Sequence, residues 1–242
     1  MNAENHAAQQ EQIPRQIHYC WYGGSPLSSL SQRCLQTWRD VMPGYEIRRW
    51  DENALDLNSP YVAAAYKLKK FAFVADYMRL RILYDIGGIY LDTDIEAVQP
   101  MDDLLSLSLF FGLQSPGSVG VSVIGGAKGH PFLRLLMEAL DKEAMTGKLT
   151  FQPLPELVTE LVASHGHQDL NIFSEDYFYP YNPYSEVTLR KKPLQCNISA
   201  KTYCIHHWEG TWLGDMSLRM MVGLRLKNAL RKASLRFQHL SA

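Results

Sequence analysis

The clearest hydrophobic pattern in the chain is a helical period that gives way to a short apolar run. One set of apolar side chains recurs at intervals of three and four residues: Phe71, Val74, Ala75, Met78, Ile82, Leu83 and Ile86. This spacing predicts one face of a helix and leaves Asp76, Arg79 and Asp85 off that face. Gly87 and Gly88 predict the end of the helix, because glycine adopts the left-handed backbone conformation without a steric clash.

Two paired aspartates stand at the end of the apolar run that follows these glycines. The run from Ile89 to Leu91 is β-branched and aromatic, which predicts a buried strand, and Asp92-Thr93-Asp94 come directly after it. Ligands collect at the carboxyl ends of strands in open α/β sheets, and carboxylates suit Mg²⁺ or Mn²⁺ bound to a substrate diphosphate. Most Asp-x-Asp pairs are surface or turn carboxylates, so a solvated turn is the alternative.

Other patterns along the chain predict alternating strands and helices. Aromatic-rich or alternating runs predict strands at Ile17–Tyr22, Tyr45–Trp50 and Val119–Ile124, and helical periods predict helices at Ser31–Trp38, Tyr61–Lys70 and Leu133–Ala144. Asp51 is predicted to cap the element that follows it. His130 precedes a proline at a helix entry, and a histidine in that position is more often structural than catalytic. The chain is therefore expected to form one α/β domain.

Composition is that of an ordinary globular protein, but the charge is unevenly distributed. The 242 residues are 46% hydrophobic and 20% charged, with a net charge of −1, which does not indicate nucleic acid as a partner. Six of the 24 basic residues follow Asp215, and no acidic residue does. The segment 216–242 is predicted to be a basic amphipathic helix that either packs on the domain or binds an anionic membrane surface.

Cysteine spacing and the lack of long apolar runs bear on the compartment. The four cysteines show no Cys-x-x-Cys or zinc-ligand spacing and are expected to be buried thiols: Cys20, Cys34, Cys196 and Cys204. The sequence has no signal-peptide core and no apolar run of about 18 residues. A cytoplasmic protein is expected, with peripheral contact at the inner face of the cytoplasmic membrane through the basic segment. Residues 1–12 are polar and are expected to be disordered.

The segment from Phe73 to Pro100 resembles the Asp-x-Asp region of glycosyltransferase family 32. That family includes bacterial capsular and O-antigen polysaccharide enzymes and yeast-type mannosyltransferases. The segment is also similar to the catalytic domain of the large clostridial glucosylating toxins. The resemblance is carried by Asp76, Arg79, Leu83-Tyr84, Gly87-Gly88-Ile89-Tyr90-Leu91-Asp92-Thr93-Asp94 and Pro100. The segments Lys128–Phe132 and Thr202–Trp212 resemble two further motifs of the family.

This resemblance implies a fold and a reaction. The implied fold is of the GT-A type, a Rossmann-like three-layer α/β sandwich with a mostly parallel central sheet, formed by residues 13–215. The implied reaction is a retaining, metal-dependent hexosyl transfer from a nucleotide sugar to a hydroxyl of a lipid-linked or growing surface polysaccharide. A UDP-sugar is favoured, such as UDP-galactose, UDP-glucose or an N-acetylated form. Ser122 replaces an asparagine that many relatives place near the donor sugar, which leaves the choice of sugar open.

The resemblance also assigns roles to the carboxylates and to one arginine. Asp92 and Asp94 would hold Mn²⁺ or Mg²⁺. Asp76 would accept hydrogen bonds from hydroxyl groups of the donor sugar, and Arg79 would reach the sugar or its diphosphate. The alternative for Asp76 and Arg79 is a local ion pair between residues three positions apart on a helix.

Further residues are assigned to the nucleotide by the same resemblance. Trp21 would stack on the base, and the backbone of Cys20 and Trp21 would hydrogen-bond the edge of the base. Tyr90 and Thr93 are also assigned to donor binding. The alternative for Tyr90 is a position in the core.

The C-terminal motif is expected to close over the diphosphate. His206 or His207, with Thr211 and Trp212, would supply a further metal ligand or a hydrogen bond to a phosphate oxygen. Adjacent residues on a strand face opposite ways, so one histidine is expected to do this, and His207 is favoured. Two other functions stay open: toxin-like transfer to a protein, and a module that binds nucleotide sugars without catalysis.

Overall fold

A computed structural model describes residues 13–147, 149–165, 169–183 and 198–210, and the elements below lie in the compact unit Met1–Glu209. In chain order they are β1 (Gln16–Cys20), α1 (Ser29–Val41), β2 (Glu46–Trp50), α2 (Pro60–Lys67), α3 (Phe71–Ile86), β3 (Gly88–Leu91), β4 (Ile95–Ala97), β5 (Leu109–Ser115), β6 (Ser118–Gly126), α4 (Pro131–Met145), α5 (Leu154–His165), β7 (Asn171–Phe173), α6 (Glu175–Phe178) and β8 (Cys204–His206). The predicted segments 1–12 and 216–242 lie outside the described residues. In the described part of the chain, no helix is long and apolar enough to cross a bilayer.

Six of these strands form the central sheet, in the order β2-β1-β3-β6-β5-β7. Strand β1 is parallel to β2 and β3, and β5 is parallel to β7. Strand β6 runs antiparallel to both of its neighbours, β3 and β5. The other five strands therefore share one direction, and the mostly parallel sheet predicted from the sequence is confirmed. Strands β4 and β8 form a separate antiparallel pair.

The central sheet is covered on both faces. On one face, the ring of Tyr19 meets Trp38 of α1 edge-on at 5.8 Å, and this cluster extends through Ile89 and Leu91 to Phe178. On the other face, α3 packs against β1, β3 and β6, with α2 and α4 beside it. This arrangement is the three-layer α/β sandwich of the GT-A type.

Helix α3 has the predicted bounds, and side chains on more than its apolar face are buried. Because the sheet covers one side of α3 while α2 and α4 cover others, side chains off the apolar face, such as Tyr77 and Leu80, are buried as well. Arg79 is only 5% exposed, whereas the Asp85 side chain is 44% exposed. A position off the apolar face is therefore exposed for Asp85 but buried for Arg79.

The two glycines between α3 and β3 are required by their backbone conformation and by close packing. Gly87 ends the helix at a φ of +81°, and Gly88 begins the strand at +114°. A Cβ atom on Gly88 would lie 2.8 Å from the backbone oxygen of Gln16 and from Nε2 of His18. The turn that leads to the two aspartates thus depends on glycine at both positions.

His18 is a buried structural residue of β1. Its Nε2 lies 2.9 Å from the backbone oxygen of Gly87, and Nδ1 accepts a hydrogen bond from the Trp50 indole at 3.2 Å. This geometry suits the neutral imidazole with its proton on Nε2, because a proton on Nδ1 would oppose the indole N–H. Burial is the main cause that lowers the pKa of His18 from 6.5 to about 4.

We expect His18 to reduce the stability of the protein at acidic pH. Unfolded chains take up a proton on this side chain as the pH falls through 6.5, whereas the folded protein resists protonation until about pH 4. The free energy of unfolding should therefore decrease over this interval, by about 2 to 3 kcal/mol at pH 4.5 from this residue. Urea denaturation at pH 7 and pH 4.5 measures the effect. An equal loss in the variant His18→Gln would contradict it.

Candidate active site

Strand β3 delivers Asp92 to the carboxyl edge of the sheet, and a tight turn then brings Asp94 beside it. The Asp92 N–H donates to Ser122 O of β6 at 2.9 Å, and the Ile95 N–H donates to Asp92 O at 3.0 Å. Thr93 lies in this turn, partly exposed. Ile95 then pairs with His206 across the β4–β8 ladder. The register of this ladder places a distant histidine next to the two aspartates.

Asp92, Asp94 and His206 form a cluster with the chemistry of a metal site. One potential ligand atom from each of the three lies within 4.8 Å of the other two. Nε2 of His206 is 3.3 Å from Asp94 Oδ2, and its buried Nδ1 has no hydrogen-bond partner in the described part of the chain. Two carboxylates and an imidazole are suitable ligands for a divalent cation. These residues fit the predicted Mn²⁺ or Mg²⁺.

Asp94 is held in its ionised form. Burial by itself would raise its pKa, but the hydrogen bond with His206 and the one from the Glu209 N–H outweigh this effect, so the pKa lies below the usual value. The Glu209 N–H donates to Asp94 Oδ2 at 2.9 Å, and the His207 N–H donates to the Asp94 backbone oxygen at 3.0 Å. The segment after β8 is thus attached to Asp94 at two points.

His206, and not the favoured His207, faces the two aspartates. Nε2 of His207 lies 2.7 Å from Oε2 of Glu96, a carboxylate that is 40% exposed. Two consecutive residues of a strand point to opposite sides, and the β4–β8 register directs His206 to the Asp94 side. His207 is therefore absent from the cluster, which corrects its predicted role as a metal ligand.

Two buried side chains hold one oxygen of Asp92. The Tyr90 hydroxyl donates to Asp92 Oδ1 at 3.0 Å, and Nη2 of Arg79 lies 3.4 Å from the same oxygen. The Arg79 guanidinium also lies over the Tyr90 ring, 4.5 Å from its centroid. Tyr90 is 1% exposed, so it lies beneath the cluster and its ring is not available to a nucleotide. Both contacts fix Oδ1 of Asp92.

The Arg79 guanidinium donates hydrogen bonds to other groups of the protein. Its Nε donates to Ala75 O at 3.2 Å and its Nη1 to Val121 O at 2.8 Å, while Nη2 lies 3.0 Å from Asp76 Oδ1 as well as near Asp92. Burial lowers the pKa of Arg79, but the negative charge of Asp92 and its neighbours more than compensates, so the pKa is raised and the guanidinium stays charged. Arg79 therefore contacts both carboxylates, and its contact with the sugar or diphosphate stays a prediction.

Asp76 forms the helical ion pair with Arg79 that was the alternative interpretation, but the pair is buried. The side chains of Arg79 and Asp76 are 6% and 15% exposed. Burial, which exceeds the opposing effect of Arg79, raises the pKa of Asp76 to about 6. The exposed 15% of the Asp76 side chain is compatible with a contact to a sugar hydroxyl.

The predicted base contacts at the end of β1 are partly occupied by the protein itself. The Trp21 N–H donates to Trp50 O at 2.9 Å, so it is not free to bind the edge of a base. The Trp21 indole donates to Ser25 O at 2.6 Å and the ring is partly exposed. The Cys20 thiol is buried, which raises its pKa to about 12. Thr211 and Trp212, which were also assigned to the donor, lie outside the described residues.

Glu209 is a residue of this region that the sequence analysis missed. Its carboxylate lies at the start of α1, 3.0 Å from Oγ of Ser28, while its N–H donates to Asp94 Oδ2. Its position in the same motif as the two histidines is the sequence signal that could have identified it.

Comparisons with known proteins agree with this geometry. Residues 28–111 match the family model described as a glycosyltransferase sugar-binding region containing a DXD motif, and this range includes Asp76, Arg79, Asp92 and Asp94. The fold is similar to that of the PaToxG glycosyltransferase, with a TM-score of 0.55, 17% identity, and coverage of 64% of this chain and 70% of that chain. At this level of identity the likeness concerns the fold alone.

Two relatives extend the similarity over more of the chain. An uncharacterised glycosyltransferase of Acanthamoeba polyphaga mimivirus is 25% identical, over 79% of this chain and 82% of its own length. Inositol phosphoceramide mannosyltransferase 3 of Schizosaccharomyces pombe is 25% identical, over 96% of this chain and 70% of its own length.

Fold, site and comparisons together define an enzyme of the glycosyltransferase class with the GT-A fold. More specifically, the chain resembles the glycosyltransferases of family 32, and its residues 28–111 match a sugar-binding region that contains a DXD motif. This confirms the resemblance seen in the sequence. The class implies a nucleotide-sugar donor and a saccharide acceptor.

Proposed function

We propose that the protein transfers a hexose from a nucleotide sugar to an acceptor hydroxyl with a divalent cation held by Asp92, Asp94 and His206. The observation that carries this proposal is the convergence of three ligand atoms within 4.8 Å at the carboxyl end of β3. Two of the three residues lie inside the matched DXD region. A bound cation would neutralise negative charge that develops on the departing diphosphate.

The surrounding residues prepare the site for this chemistry. Arg79 and Tyr90 hold Oδ1 of Asp92, which fixes the orientation of this carboxylate. The ionised Asp94 keeps a second negative charge at the site. Asp76, with its partial exposure, accepts hydrogen bonds from hydroxyl groups of the donor sugar. Fixed charges of this kind need no rearrangement at the moment of reaction.

We infer that the reaction proceeds with retention by attack on the front face of the sugar. The bond between the anomeric carbon and the diphosphate oxygen breaks, and the bond to the acceptor oxygen forms on the same face. The acceptor proton passes to the departing diphosphate oxygen. This route requires no protein nucleophile, in agreement with the sequence, which indicates no convincing one.

We propose two candidate pairs of donor and acceptor. A UDP-sugar and a lipid-linked or surface polysaccharide acceptor follow from the family resemblance. The likeness to an inositol phosphoceramide mannosyltransferase favours a second candidate, in which a mannosyl group is transferred to a phosphorylated lipid. Both acceptors suit peripheral membrane contact through the basic segment 216–242, which stays a prediction from its composition.

Release of nucleotide from a donor panel tests the proposed function. UDP-glucose, UDP-galactose, UDP-N-acetylglucosamine and GDP-mannose are each incubated with Mn²⁺, then with an excess of chelator. We expect slow hydrolysis of one donor, and at least a 100-fold lower rate after the cation is removed, since the cation supplies several kcal/mol of charge stabilisation. Release that is insensitive to chelator would contradict metal dependence. Absence of both hydrolysis and donor binding would favour the non-catalytic alternative.

A further inference from the structure

The segment that carries His206 is attached to the start of α1 by a single carboxylate. Oε2 of Glu209 lies 3.0 Å from Oγ of Ser28 and 3.4 Å from Oγ of Ser31. Ser28 is the N-cap of α1, where its Oγ accepts the Ser31 N–H at 2.9 Å. A carboxylate at this end of a helix is also favoured by the helix dipole.

The backbone of the same residue is attached to the metal cluster. Trp208 has a φ of +56°, and this left-handed turn brings the Glu209 N–H to Asp94 Oδ2 at 2.9 Å. The Trp208 ring packs on the His206 ring with centroids 4.1 Å apart, and its indole donates to Tyr181 O at 2.7 Å. Glu209 therefore joins α1 to Asp94 directly and to His206 through one packed ring.

We propose that Glu209 is a positioning residue of the metal site. Its carboxylate, held by the two serine hydroxyls, fixes the turn that aims its N–H at Asp94 and keeps His206 beside the aspartates. The inference rests on the proposed function, since it concerns the metal site of that reaction. Loss of this attachment should loosen two of the three ligands at once, without removing any ligand.

Binding of Mn²⁺ to the full chain without donor tests this role, measured by the electron paramagnetic resonance signal of the free ion. We expect Glu209→Ala to weaken Mn²⁺ binding about 10-fold, the lower end of the effect of losing a partner that orients a metal ligand. Ser28→Asp should have a similar effect, because aspartate caps α1 as well as serine does but repels Glu209. The two changes combined should cost no more than either alone, since both break one contact.

Control variants separate this role from general stability. Ser28→Asn keeps the helix cap and supplies an amide N–H for Glu209, so its Mn²⁺ affinity should stay within about 2-fold of that of the wild type. Glu138→Ala removes an exposed carboxylate on α4 and controls for net charge. Thermal unfolding of each variant reports stability independently.

The outcomes distinguish this inference from the proposed function. Wild-type binding that is lost in Asp92→Asn, but unchanged in both Glu209→Ala and Ser28→Asp, would overturn the role of Glu209 alone, even if the melting temperature falls. Equal binding by the wild type and Asp92→Asn would overturn the metal site and this inference together. Weaker Mn²⁺ binding in Glu209→Ala and Ser28→Asp, together with nearly wild-type Mn²⁺ binding in Ser28→Asn, supports the proposal.

Discussion

Replacement of Asp92 or Asp94 by asparagine is expected to lower the rate of metal-dependent donor cleavage by about 1,000-fold. An amide is neutral and lacks the charge that holds a hard divalent cation. The cation contributes several kcal/mol to the transition state, and each 1.36 kcal/mol corresponds to a tenfold change in rate. Steady-state nucleotide release at saturating Mn²⁺ measures the effect. Retention of more than a tenth of the activity would refute the assignment.

Both asparagine variants should fold. The Asp92 side chain is 27% exposed. Loss of its negative charge leaves Arg79 paired with Asp76 at 3.0 Å. Glu96→Gln is the matched control, because this carboxylate lies two residues after Asp94, in β4, but contacts His207. We expect its activity to remain within about 2-fold of the wild type, as is usual for surface substitutions with small energetic effects.

Activity measurements on asparagine variants also distinguish the two adjacent histidines. Asparagine in place of His206 removes a proposed ligand beside Asp94, whereas asparagine in place of His207 removes a partner of Glu96. Only the first change should raise the Mn²⁺ concentration needed for half-maximal activity. The reverse result would restore the role that the sequence favoured for His207.

Replacement of Arg79 by methionine is expected to reduce both stability and metal affinity. Two carboxylates, Asp76 and Asp92, would lose the guanidinium that neutralises them at 3.0 and 3.4 Å. Removal of one partner from a buried ion pair typically costs about 3 to 5 kcal/mol. Urea denaturation measures this loss, and Mn²⁺ titration without donor measures affinity. A loss of less than about 1 kcal/mol would contradict the contacts described here.

Two milder variants separate a positioning role for Arg79 from contact with the donor. Arg79→Lys keeps the charge but not the fork that reaches Val121 O and Asp76 together. Tyr90→Phe removes only the hydroxyl that donates to Asp92 Oδ1. If Arg79 positions Asp92, both variants weaken Mn²⁺ binding without donor, by about 10-fold. If Arg79 contacts the donor, Arg79→Lys raises the donor KM and leaves Mn²⁺ binding unchanged.

Local sequence determined the element that carries the two aspartates. The apolar period from Phe71 to Ile86, the glycine stop and the short strand predict α3, the turn and β3 with nearly the observed bounds. This succeeds because helix periodicity, glycine conformation and strand propensity act over a few residues. The family resemblance then supplied the fold and the class of enzyme, which the comparisons confirm.

Side-chain direction was decided by tertiary structure. Arg79 is buried because its guanidinium reaches Val121 O of β6 and the carboxylate of Asp92 after β3, although the periodicity of α3 leaves this residue off the apolar face. His206 faces the aspartates because β8 pairs with β4 in a register that places it opposite Ile95, and a shift of one residue would have presented His207 instead. Glu209 reaches Ser28, 181 positions away, only because the fold brings the end of β8 to the start of α1. Sequence spacing cannot encode such contacts, since they depend on how distant elements pair and which neighbours cover each face.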